Sequence, residues 1–134
     1  MKSKENTSPV RSRDKVLQSL YEIDLGGSDA KEILKDKEMQ KRYPHFKDLL
    51  IGVTESMSNL DSLLQQLMDR DLLGLDPIER NALRLAIYEM LNSDLDKPII
   101  INESIRLTKK YGAVDGHKYA VSYTHLTLPT TPYV

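Results

Sequence analysis

Hydrophobic positions recur along most of the chain at helical spacing. Over residues 10–25, Val16, Leu17, Leu20, Tyr21 and Ile23 fall on one face of a helix. Gly26-Gly27 ends it, because glycine takes the positive φ that a helix C-cap needs. Ser28 or Asp29 then caps a short, highly charged helix over about residues 30–41. Its only large apolar residues are Ile33, Leu34 and Met39, so it is expected to be marginal and mostly exposed. The clearest pattern is Phe46, Leu50, Val53, Met57, Leu60, Leu64 and Leu67, in alternating steps of four and three. It predicts a single helix of more than twenty residues with a heptad seam facing the core. Leu49 and Leu63 widen the stripe as a bundle requires, while Gly52 within it costs about 1 kcal/mol relative to Ala unless a neighbour needs the close approach.

Asp76-Pro77-Ile78-Glu79 is a strong helix start. Asp76 caps the orphan N–H groups, Pro77 suits the first helical position, and Glu79 sits where a capping-box partner belongs. The following run, from Ala82 to Leu91, is apolar around most of its circumference, which places it at the centre of a bundle. A last helix is expected near residues 100–111, with Ile101, Ile105 and Thr108 on its inner face and a stop at Gly112. Ile99-Ile100-Ile101 has strand propensity, but a lone strand has nothing to pair with. The pattern is therefore all-α, with five helices before residue 113. Residues 121–134 break it: they contain no acid, no Lys and no Arg, with Thr124, Thr127, Thr130 and Thr131 interleaved with Pro129 and Pro132.

Composition narrows the class. At 134 residues the chain holds one ordinary domain, able to bury roughly two-thirds of its unfolded surface. With 40% hydrophobic and 29% charged residues it reads as globular rather than disordered. It has no cysteine, which excludes a disulfide framework, a thiolate zinc site and a thiol nucleophile. His45, His117 and His125 are far apart and lack partners at metal-binding spacing, and no phosphate-binding glycine loop or nucleophile elbow occurs. Neither an enzyme nor a cofactor is expected. Asp69/Asp71 and Asp94/Asp96 border predicted loops and read as caps and solvated turns. The longest apolar run is residues 85–88, too short to span a bilayer, and the first residues lead into no apolar stretch. The expected compartment is the cytoplasm.

The formal charge of −1 hides an uneven distribution. Residues 1–15 carry Lys2, Lys4, Arg11, Arg13 and Lys15 against Glu5 and Asp14, a balance of +3. Residues 54–96 carry nine acids against Arg70, Arg80 and Arg84, a balance of −6. Residues 97–118 return to +3, with Lys97, Arg106, Lys109, Lys110 and Lys118 against Glu103 and Asp115. Two basic ends around an acidic middle suggest one surface for a polyanion and another for a basic partner; ordinary solvated helix faces are the competing explanation.

Several segments, taken in order, resemble the NusB family of bacterial transcription antitermination factors. Arg11-Ser12-Arg13-Asp14 leading into Leu17-Gln18-Ser19-Leu20-Tyr21 is similar to the family's arginine motif and first helix. Leu49-Leu50-Ile51-Gly52-Val53, followed by Leu60-Asp61, is similar to its third-helix motif. The most specific match is Leu75-Asp76-Pro77-Ile78-Glu79-Arg80, continuing through Leu83-Arg84-Leu85-Ala86-Ile87-Tyr88-Glu89-Met90-Leu91. Pro98, Ile101-Asn102-Glu103-Ser104, Leu107, Lys109-Lys110-Tyr111-Gly112 and Gly116-His117-Lys118-Tyr119 extend the resemblance, which covers about residues 10–119.

The resemblance implies a helical bundle of two packed three-helix subdomains without catalytic activity. It implies binding to boxA RNA of ribosomal RNA leaders together with the ribosomal protein NusE, within an RNA polymerase antitermination complex. Arg11 and Arg13 would lie on phosphates, Asp115, Lys118 and Tyr119 would also reach the RNA, and NusE would dock somewhere within the acidic residues 54–96. The bland alternatives are a solubilising basic arm, a capping role for Asp115, and a core position for Tyr119. Two other classes remain: a NusB-like RNA-binding appendage of the kind fused to ribosomal RNA cytosine methyltransferases, or a bundle that binds only protein. The implied organisation is a flexible arm over residues 1–9, a NusB-like RNA-binding domain over 10–120, and an atypical tail over 121–134. After Tyr119 the chain departs from the family's pattern. The final helix is therefore expected to be missing or replaced, and the tail to be non-native or disordered.

Overall fold

The computed structural model describes residues 9–112, which form seven α-helices, one 3-10 turn and no strand. The expectations for residues 1–8, for Asp115, Lys118 and Tyr119, and for the tail lie outside the described residues. Clustering of the backbone separates two compact units, Met1–Ser56 and Met57–Val134.

In the first unit α1 spans Pro9–Asp24, α2 Ala30–Ile33, α3 Lys37–Arg42 and α4 Phe46–Glu55. α1 ends as its sequence dictates. Gly26 takes φ +79°, the Gly27 N–H donates to Glu22 O at 3.0 Å, and the Gly26 N–H donates to Ile23 O at 3.0 Å. These paired bonds satisfy the last carbonyls of the helix. α1 and α4 pack against each other, and the buried Val16, Leu17 and Leu20 of one and Phe46, Leu50 and Val53 of the other form the core. The predicted helix over residues 30–41 is instead two short ones. Asp29 caps α2 by accepting from the Glu32 N–H, but Asp36 accepts from the Met39 N–H and starts a new helix before the first has gained a second turn. Gln40 Nε2 donates to Leu34 O at 2.6 Å, satisfying a carbonyl left open at the junction. Neither α2 nor α3 buries a side chain.

The second unit contains α5 (Met57–Leu67), the 3-10 turn (Leu72–Gly74), α6 (Pro77–Asn92) and α7 (Lys97–Tyr111). The seam predicted as one long helix is thus broken at Ser56, between α4 and α5. The Ser56 N–H is shared between Gly52 O and Val53 O, and Thr54 Oγ1 donates back to Leu50 O at 2.8 Å and Ile51 O at 3.1 Å. Back-bonding of this kind bends helices, and Gly52, Thr54, Ser56 and Ser58 are all poor helix formers. Of the seam residues, Phe46, Leu50 and Val53 are buried in the first unit and Leu60 and Leu64 in the second, whereas Met57 and Leu67 are half-buried.

α6 begins at Asp76, whose side chain accepts from the Ile78 N–H at 3.0 Å, with Pro77 in the first turn. It buries Ile78, Ala82, Leu83, Leu85 and Ile87, and it packs against both α5 and α7. α7 starts three residues earlier than expected, with Pro98 in its first turn, and so absorbs the Ile99-Ile100-Ile101 run. Of its expected inner-face residues Thr108 is buried, but Ile101 and Ile105 are only half-buried, and Ile100, Ser104 and Leu107 are buried in addition to Thr108. A hydropathy pattern discounts Ser104, and the hydroxyl of the buried Thr108 is satisfied within the helix by donating to Ser104 O at 2.9 Å. Gly112 ends the helix, and a Cβ there would stand 2.5 Å from Thr108 O.

Two leucines of α6 test this packing. Leu85 is 1% exposed and Leu91 50%. Leu85→Ala is expected to destabilise the protein by about 2–5 kcal/mol. Leu91→Ala should stay within about 0.5 kcal/mol of the parent. Urea titrations of both variants read the difference directly, and equal midpoints would contradict a central α6.

Candidate nucleic-acid interface

The arginine pair at the start of α1 is presented unequally. Arg11 is exposed, whereas Arg13 is only 3% exposed and lies between the buried Ser12 and Asp14. Arg11 and Lys15 stand four residues apart and so share a helix face. The Lys15 ammonium lies 5.6 Å from the centroid of the Tyr43 ring, a cation–π contact that ties this face of α1 to the link between α3 and α4. At the end of the described chain, Lys109 and Lys110 are exposed in the last turn of α7, with the Lys110 ammonium 5.2 Å from the Tyr111 ring.

The acidic middle is less available than its charge balance implies. Asp61 is held by Arg84, Asp76 caps α6, and Glu79 and Glu89 are buried. Asp71 caps the 3-10 turn by accepting from the Leu73 N–H at 3.2 Å. Of the acids in the second unit, Asp69, Asp71, Asp94 and Asp96 are exposed. They form two pairs, one before α6 and one after it, separated by a 16-residue helix and hence by roughly 24 Å. They do not make a single acidic face.

Three features escaped the sequence reading. Arg84, in the midst of an apolar helix, donates through Nε to Asp61 Oδ1 and through a terminal nitrogen to Asp61 Oδ2, both at 2.7 Å. Its other terminal nitrogen donates to Asn81 Oδ1 at 2.9 Å, and Asn81 in turn donates to Pro77 O at 2.8 Å. An arginine at a core position was itself a signal, since a buried guanidinium requires a counter-charge. The second is the Lys15–Tyr43 contact, which nothing local in the sequence announces. The third is Glu79. It does not close a capping box; it is 2% exposed and its Oε2 has no hydrogen-bond partner. Burial, reinforced by the Asp76 carboxylate and opposed by the Arg70 guanidinium, pushes its pKa up to about 7.

Among the described residues no group of His, Asp and Glu gathers as a metal site, and no helix is long and apolar enough to cross a membrane. What the described chain presents is an all-helical fold in two units, and it is shared with a solved protein. NusB of T. maritima superimposes with a TM-score of 0.72 at 27% identity, covering 87% of each chain. The NusB family model matches residues 10–120. The transcription antitermination protein NusB of Thiobacillus denitrificans is 40% identical over 114 residues, 81% of this chain and 79% of its own. That of Methylobacillus flagellatus is 37% identical over 123 residues, 87% of this chain and 79% of its own. The chain belongs to the NusB family, whose members are non-enzymatic.

The raised Glu79 pKa gives a signed pH dependence. The folded protein holds a proton at Glu79 up to about pH 7, whereas the ordinary value is 4.5. This carboxyl therefore favours the folded state at low pH, and that contribution is lost as pH rises from about 4.5 through 7. Glu79→Gln should be more stable than the parent at pH 8, by on the order of 1–3 kcal/mol, with the gap closing toward pH 5. Urea titrations of both proteins at the two pH values measure it; a constant gap would show that Glu79 does not titrate in this range.

Proposed function

We propose that this chain is a transcription antitermination factor that binds boxA-type RNA of ribosomal RNA leaders together with the ribosomal protein NusE. It would do so in the cytoplasm as part of an RNA polymerase antitermination complex. The observation that carries this reading is the family match over residues 10–120, which begins at the basic start of α1. Arg11 is exposed there on the outer face of a helix whose opposite face is core. A guanidinium so placed suits phosphate, because it is always charged and presents a fork of donors. Arg13 is proposed for the same site, although it is only 3% exposed. Asp115, Lys118 and Tyr119 complete the proposed RNA-binding set.

NusE is proposed to dock on the second unit, where the exposed acids would steer a basic protein. Because these acids form two separate pairs, the reading divides into two sites that experiment can tell apart.

Replacing Arg11 by Ala is expected to weaken RNA binding with little change in sequence preference. The log–log salt dependence should flatten by about 0.7 for one lost contact to a single strand. An unchanged slope would remove Arg11 from the interface.

Charge reversal at Asp69 and Asp71, compared with reversal at Asp94 and Asp96, should slow NusE association in one pair and leave the other near the parent rate. Dissociation should change less than association. Stopped-flow mixing gives both rates. Parent-like association in both variants would take the acidic residues out of the docking reaction.

A further inference from the structure

The first unit carries a second group of cations that the arginine motif does not include. Between Lys37 and Lys47 the chain holds four Lys or Arg residues, Lys37, Lys41, Arg42 and Lys47, against Glu38 alone. All four cations are exposed, and none makes an ion pair within the described structure. Exposed His45 lies in the same stretch, while the carboxylates of Asp36 and Asp48 flank it. Asp36 is occupied in capping α3. Lys41 and Arg42 fall in the last turn of α3, where they complement the carbonyl end of that helix. One turn of helix needs little neutralisation, however, and Lys47 lies beyond it at the start of α4.

The Lys15–Tyr43 contact places this group. Tyr43 follows Arg42 directly and is the C-cap of α3, and its ring receives the Lys15 ammonium at 5.6 Å. Lys15 lies one helical turn from Arg11 on the same face of α1, roughly 6 Å along its axis. The segment that carries Lys41, Arg42 and Lys47 is thereby brought beside Lys15 of α1 within a single unit. Exposed positive groups near an aromatic ring are the ingredients of a surface for a single-stranded polyanion. Packing does not explain Lys41 and Arg42, since α3 buries no side chain, and Lys47 is exposed on α4.

We propose that the face joining Arg11 and Lys15 to residues 41–47 is a second stretch of the nucleic-acid interface, taking the phosphates of single-stranded RNA that extends beyond the start of α1. The inference rests on the RNA-binding reading above and adds to it a path for the strand. Contacts here are to backbone phosphate, so they lengthen the bound segment without setting its sequence.

The test uses the full chain and two single-stranded RNAs sharing one core sequence, of about 4 and about 16 nucleotides, the span of site sizes for a single binding module. Lys41→Ala, Arg42→Ala and Lys47→Ala are combined in one variant, and circular dichroism checks that it folds. The longer RNA should show a salt dependence flatter by about two units, 0.7 for each of three contacts, with little change for the shorter one. Lys41→Arg with Lys47→Arg should behave as the parent. In the unsubstituted protein, amide chemical shifts of residues 41–47 should move on adding the longer RNA and not the shorter. A parent-like slope in the triple variant, with Arg11→Ala still flattening it, overturns the second stretch and leaves RNA binding intact. Failure of the parent protein to bind either RNA overturns both.

Discussion

A guanidinium keeps its charge at any ordinary pH, so an arginine can enter a helical core only if a counter-charge goes with it. In the second unit that requirement is met by Arg84 and Asp61, joined by two bonds of 2.7 Å between α6 and α5. The fork geometry allows one rotation and one register of the two helices, which apolar contact alone would leave adjustable. Asn81 extends the arrangement by taking a third donor of Arg84 and anchoring itself on Pro77 O, at the first turn set by Asp76. The N-terminal cap, the inter-helix pair and the buried face of α6 are one connected structure. Asp61 retains part of its exposure to water, which lowers the desolvation cost of the pair without weakening its directionality.

Much of this was legible from sequence wherever the deciding chemistry is local. Gly26-Gly27 ended α1 and Asp76-Pro77 began α6 because cap geometry depends on a few adjacent residues. The seam from Phe46 to Leu67 correctly identified five of its seven residues as core, and it misjudged continuity for the same reason. Periodicity reports which face is buried; it does not report whether Thr54 and Ser56 will turn their hydrogen bonds against the helix. The split between α2 and α3 likewise hangs on Asp36 capping forward to Met39, a competition between two local bonding patterns of similar strength. On α7 Thr108 was placed on the inner face and is buried there, but Ser104 was passed over because it looks polar in sequence, and the fold buries it.

Charge was the least transferable part of the reading. A tally along the chain treats every carboxylate as available, whereas folding assigns Asp61, Asp76, Glu79 and Glu89 to pairing, capping or burial and leaves the exposed Asp69, Asp71, Asp94 and Asp96 at the two ends of α6. The arginine motif shows the same effect, with Arg11 outside and Arg13 inside. Sequence supplies the residue types; the exposure of each depends on tertiary neighbours that spacing does not encode.

The absence of any buried side chain in α2 and α3 has an evolutionary consequence. Elsewhere a substitution must first satisfy the interior, and Asp61 and Arg84 are free to change only in concert. Over residues 30–42 that filter is nearly absent, so the segment can exchange charges at little cost to folding. Its charges are then constrained less by the protein's own interior than those of the packed helices are.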